Sequence, residues 1–129
     1  MYKGDLIVKP LDDGIFWELQ EPFSFQTPFH KDFFCIPKGF LTDFASIPKL
    51  FWSILGSPAT TKARKAAVCH DFLYQQGSSY GTREDADNAF LYLMTEDNVG
   101  IIKRYSMYYA VRLGGSDYFK SIEELEDEC

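Results

Sequence analysis

Cys69-His70-Asp71-Phe72-Leu73-Tyr74 and, past Gly77-Ser78-Ser79-Tyr80-Gly81, Thr82-Arg83-Glu84-Asp85-Ala86-Asp87 decide how this chain reads. The spacing predicts two consecutive helices. The first covers 62–76 and stops at the glycine- and serine-rich break. The second opens at Thr82, where Thr82 and Asp85 stand at capping-box spacing, and continues to about residue 98. His70 and Tyr74 are four apart and share a face. Ala63, Ala66 and Ala67 extend that face, and their small side chains admit a close neighbour. On the second helix Asp87 shares a face with Phe90, Leu91 and Met94, and Arg83, one turn earlier, is placed to offer it a salt bridge. In an antiparallel pair centred on Ser79, His70 lies nine residues before the turn and Asp87 eight after it. At about 1.5 Å rise per residue their heights then differ by only about 1.5 Å.

Working outward, a third helix is predicted over 101–113, stopped by Gly114-Gly115. The first third of the chain reads as β. Segments 5–9 and 14–19 flank Pro10-Leu11-Asp12-Asp13-Gly14, in which Asp-Gly is a turn signal. Phe23 and Phe25 alternate with Ser24, and Phe33-Phe34-Cys35-Ile36 is a short apolar run ended by Pro37. These features predict a small antiparallel sheet with one aromatic face, held to short or edge strands by Pro22, Pro28 and Pro37. Pro37-Lys38-Gly39-Phe40 reads as a turn and 41–48 as an irregular connector. Ser46 is placed to cap a short helix over 48–55, which Gly56-Ser57-Pro58 breaks. The expectation is an α+β protein: an N-terminal antiparallel sheet, then a bundle of three main helices plus one short one. It forms a single domain over 1–121 with an acidic tail over 122–129.

Bulk properties narrow the function classes. The net charge is −6, but Glu123, Glu124, Glu126, Asp127 and Glu128 hold five of the 19 acids, leaving 14 against 13 bases. A body so near neutrality offers no electrostatic grip on nucleic acid. Three cysteines, Cys35, Cys69 and Cys129, form no paired framework. The first residues show no classical export signal, and no apolar run approaches the roughly 20 residues that cross a bilayer. Twelve Phe, eight Tyr and two Trp predict a thick aromatic core or a docking surface. Phe51-Trp52 beside Leu55, and Met107 with Tyr105, Tyr108 and Tyr109, read as core packing.

The chemistry sits on the helix pair. A carboxylate at Asp87 accepting from one imidazole nitrogen of His70 would fix the tautomer and leave the other nitrogen basic. That is the arrangement of a general base. A buried hydrogen bond that only locks two helices uses the same residues, and both readings stand at this point. Asp71 is rotated by roughly 100° from His70 and points to the flank. The same divergence separates Cys69 from His70, so the two do not form a thiolate–imidazole pair. No His-Glu-x-x-His, Cys-x-x-Cys, Gly-x-Ser-x-Gly or phosphate-binding loop is present, and His30 stands alone.

The segment from His70 to Asp87 resembles the catalytic helix pair of phospholipase A2, especially its prokaryotic and fungal branch. The resemblance implies His70 as water-activating base, Asp87 as orienting carboxylate and Tyr74 in support. It also implies Asp71 as ligand to calcium or another divalent cation. The glycine-rich calcium loop and the disulfides of that family have no counterpart here. A longer set of motifs is similar to the family known as domain of unknown function 1353, found mostly in tailed phages and prophages. It comprises 37–48 (Pro37-Lys38-Gly39-Phe40-Leu41-Thr42-Asp43-Phe44-Ala45-Ser46-Ile47-Pro48), His70 to Tyr74 and Arg83 to Asp87, within 35–115. This likeness implies a phage origin and one shared pocket in which Thr42, Asp43 and Ser46 border the His70–Asp87 pair as substrate-binding residues. Read without it, Asp43 and Thr42 are connector residues bonded to local backbone and Ser46 is a helix cap. Two functions follow as expectations: a hydrolase-like protein, or a virion, tail or assembly component whose His–Asp cluster is structural. The partners would be other phage structural proteins or a host factor, and the location the host cytoplasm or the virion.

Overall fold

A computed structural model describes residues 1–30, 33–42 and 62–114, the side chains of 78 and 79 excepted. The chain divides into two compact units, 1–43 and 44–129. The first carries six strands of two or three residues: β1 (Tyr2–Lys3), β2 (Val8–Pro10), β3 (Trp17–Leu19), β4 (Phe23–Phe25), β5 (Phe34–Ile36) and β6 (Leu41–Thr42). All their pairings are antiparallel. They sort into two three-stranded sheets, β1-β4-β5 and β2-β3-β6, where one sheet was expected. Pro22 and Pro37 each lie where the chain passes from one sheet to the other, and neither has an amide to continue a ladder.

The expected turns are present. Between β2 and β3 the Asp13 carboxylate accepts from the amides of Ile15 (2.8 Å) and Phe16 (3.0 Å), and Gly14 takes the left-handed conformation at φ 72°. In β4 the alternation is realised as buried Phe23 and Phe25 around half-buried Ser24. Phe23 faces Ile36 and Phe25 faces Phe34 across the ladder, and Tyr2 stacks on Phe23 at 5.3 Å. This is the aromatic face the sequence predicts.

The second unit carries α1 (Arg64–Gln76), a 3₁₀ turn (Gly77–Tyr80), α2 (Arg83–Glu96) and α3 (Ile101–Gly114). With the strands of the first unit preceding them, the order is α+β. α1 packs on α2 and α2 on α3. Every residue from Ala66 to Tyr74 is buried, so α1 is covered on all sides rather than along one stripe. Gly77, at φ 61°, ends α1 and donates to the carbonyls of Leu73 and Tyr74. At α2 the capping box forms in both directions: Asp85 N–H donates to Thr82 Oγ1 (3.1 Å) and Thr82 N–H to Asp85 Oδ2 (3.2 Å). The helix ends in a Schellman arrangement, with Asn98 at φ 59° and the Val99 amide bonded to the Met94 carbonyl at 3.0 Å.

α3 corrects one expectation. Met107, Ala110 and Val111 are buried, but Tyr105 and Tyr109 are exposed, with Ile101, Ile102 and Leu113 on the same side. Both faces of α3 are apolar, so periodicity alone did not say which meets the core. The short helix expected over 48–55, with Phe51 and Trp52, and the acidic tail lie outside the described residues. Among those residues no helix is long and apolar enough to cross a membrane.

Candidate functional site

His70 on α1 meets Asp87 on α2, as the height argument predicts. Nε2 lies 2.6 Å from Asp87 Oδ1, and both side chains are 0% exposed. Small buried residues on both helices, Ala66 and Ala67 on α1 and Ala86 and Ala89 on α2, accompany the close packing. Tyr74, one turn beyond His70, donates its hydroxyl to the same oxygen at 2.5 Å. Its ring lies 4.1 Å from the imidazole centroid, and the Phe90 ring lies 4.7 Å from it. The imidazole is thus held by one polar bond and two aromatic rings.

The third helix completes the set. Arg112 Nη1 donates to the other carboxylate oxygen, Asp87 Oδ2, at 2.8 Å, and its side chain is 30% exposed. The sequence reading missed this residue and expected Arg83 in its place. Arg83 instead turns to the last turn of α3. Its Nη2 donates to the carbonyls of Val111 (2.7 Å) and Arg112 (2.6 Å), and its Nε to the Tyr74 hydroxyl (3.2 Å). Among the described residues those carbonyls have no intrahelical partner, so they can accept from a guanidinium.

Protonation follows from these contacts. Burial alone would raise the Asp87 carboxyl, but the bonds from His70, Tyr74 and Arg112 outweigh it and hold the group below its ordinary value. Asp87 is therefore an anion that can only accept. Burial lowers His70 below the usual imidazole value by more than Asp87 raises it, so the ring is neutral at pH 7. An acceptor on Nε2 requires the proton on Nε2. Nδ1 is then the lone-pair nitrogen, and it is buried with no hydrogen-bond partner among the described residues. Burial, reinforced by Asp87, pushes the Tyr74 phenol well up, so it remains a donor.

The other residues singled out from the sequence fall elsewhere. Asp71 is 9% exposed on the adjoining face of α1, where Gln75 Nε2 donates to its Oδ2 at 3.4 Å. Among the described residues no group of three His, Cys, Asp or Glu is arranged to hold a metal ion. Thr42 is buried in β6 of the first unit, opposite Trp17. Asp43 and Ser46 lie outside the described residues. Cys69 is buried, and desolvation pushes its thiol well up, away from nucleophilic use. His30 lies in the first unit, half-buried, its Nδ1 2.9 Å from Thr27 Oγ1.

The helix pair with its motifs defines a family, and the chain belongs to it: the family described as protein of unknown function (DUF1353), whose model matches residues 17–111. It is similar to the uncharacterized protein y4jT of Sinorhizobium fredii (strain NBRC 101917 / NGR234), with 36% identity over 113 residues. That alignment covers 85% of this chain and 33% of y4jT, so the chain spans a third of that relative's length. No solved structure matches it.

Proposed function

We propose that this chain carries a hydrolase-type base site in which Nδ1 of His70 activates water against an ester or amide. The observation that carries the reading is the orphaned nitrogen. A buried polar atom without a partner costs about 1–3 kcal/mol, and a side chain kept only to join two helices has no reason to bear that cost. His70 spends Nε2 on Asp87 and, among the described residues, leaves Nδ1 bare, which is the division of labour a general base needs. In the step, Nδ1 takes a proton from water, the oxygen adds to the carbonyl carbon, and the imidazolium formed faces Asp87. That proton then passes to the leaving oxygen or nitrogen as its bond to carbon breaks. Asp71, on the adjoining face of α1, belongs to the same reading as a group that contacts substrate or a cation.

The test is turnover by wild type and H70Q across a set of short-chain, lipid and peptide esters and amides. Hydrolysis by wild type with a loss of at least about 10²-fold in folded H70Q supports the base. Equal turnover by the two proteins, or none by either, removes it.

A second reading has its own observation. His70 and Asp87 are fully buried, which suits a lock between α1 and α2 in a virion, tail or assembly component. The phage origin implied by the family resemblance belongs with it. Under that reading His70 substitutions lower stability and abolish nothing separately.

A further inference from the structure

We infer that Arg112 is the positioning residue of this site: it fixes the Asp87 carboxylate so that Oδ1 meets His70 Nε2 and Nδ1 stays bare. The inference rests on the base reading above and adds a residue to it.

The argument is one of oxygens and rotation. The terminal torsion of an aspartate is broad and roughly two-fold, so a carboxylate held on one side alone can swing or exchange its oxygens. Here Oδ1 receives two donors, His70 and Tyr74, and Oδ2 receives Arg112. With Arg112 removed, Oδ2 is a buried anionic oxygen with no other side-chain donor among the described residues, and the torsion that aims Oδ1 loses its restraint. Arg112 is itself held at both ends. Its carbonyl accepts from Arg83, and its guanidinium donates to Asp87. Arg83 also donates to Tyr74, which donates to Asp87. The bonds close a ring through Asp87, Tyr74, Arg83 and Arg112 that draws on all three helices, and His70 hangs from it by a single bond. α3 therefore serves the site through Arg112 and not merely by covering α2.

A tether between helices and a positioning residue make different predictions for one observable. The ring ¹⁵N resonances of a neutral imidazole separate according to which nitrogen bears the proton, and they average when both tautomers are populated. In ¹⁵N-labelled wild type His70 shows the Nε2–H form. R112Q is expected to populate both forms, with the Nε2–H proton exchanging at least about tenfold faster, and R112K to restore the single form because an ammonium still reaches Oδ2. Where a hydrolysed substrate is in hand, R112Q lowers kcat by at least about tenfold and leaves KM unchanged. A folded R112Q with the wild-type tautomer and only a lower melting temperature overturns the inference. Should R112Q not fold, R112M keeps the apolar stem and removes the donor to Oδ2; mixed tautomers there support the inference, and an unchanged one sinks it. These outcomes are separable from the base reading. Equal turnover by wild type and H70Q removes the base and leaves the tautomer result standing, whereas a tautomer indifferent to Arg112 removes the inference whatever the turnover.

Discussion

Replacing His70 with phenylalanine separates a residue kept for chemistry from one kept for the fold. Phenylalanine keeps a flat aromatic ring, although a larger one, beside the two rings that flank the imidazole, Tyr74 at 4.1 Å and Phe90 at 4.7 Å. The substitution deletes the Nε2–H bond to Asp87, a charge-assisted contact of about 1.5–3 kcal/mol. It also deletes the unpartnered Nδ1, whose desolvation costs about 1–3 kcal/mol in the native protein. Asp87 retains Tyr74 on Oδ1 and Arg112 on Oδ2, so its charge is not abandoned. The two changes oppose each other and nearly cancel, which leaves the fit of the larger ring in a buried site, a cost of about 1–3 kcal/mol. H70F is expected to lose no more than about 3 kcal/mol, measured from the midpoint and slope of urea unfolding. A loss well above about 4 kcal/mol with an unchanged slope would refute this reasoning and favour the helix lock.

Asp87 behaves differently, because D87A strands Tyr74 and His70 as buried donors while Arg112 turns to solvent; a loss of about 3–5 kcal/mol in the same unfolding experiment is expected. Both shifted groups act in one direction with pH. His70, depressed when folded, binds its proton more readily unfolded, so stability is lost as pH falls below about 6.5; Asp87, also depressed, adds a loss as pH falls further, through its own folded value. Urea midpoints across pH 4–8 should therefore be level above about 7 and decline below, with H70F lacking the first part of the decline. T82A removes the side-chain half of the α2 capping box and should cost about 1 kcal/mol, read as a shift in thermal midpoint.

What was legible in the sequence was local or could be counted. The Thr82–Asp85 box, the Gly77 stop, the Asp13-Gly14 turn and the Phe23/Phe25 alternation each announce themselves within a few residues and are found in place. The His70–Asp87 encounter followed from heights on either side of one tight break. Arg112 did not follow, because it lies 25 residues from Asp87, on a helix whose rotation is set by packing. α3 carries apolar side chains on both faces, so nothing local says that Met107, Ala110 and Val111 turn inward. The exchange of roles between Arg83 and Arg112 has the same origin. Once α3 docks, its Val111 and Arg112 carbonyls compete for Arg83, and Asp87 is satisfied from elsewhere. The division of six strands between two sheets is set by which strands pair, which the count of short strands did not reveal.

The protonation pattern of one side chain bears on the proposal most directly. In uniformly ¹⁵N-labelled wild-type protein at pH 7, the His70 ring should give a neutral imidazole with hydrogen on the nitrogen facing Asp87 and a non-protonated Nδ1. A ring protonated at Nδ1, whether as the opposite neutral form or as imidazolium, would contradict it and leave no base at this position.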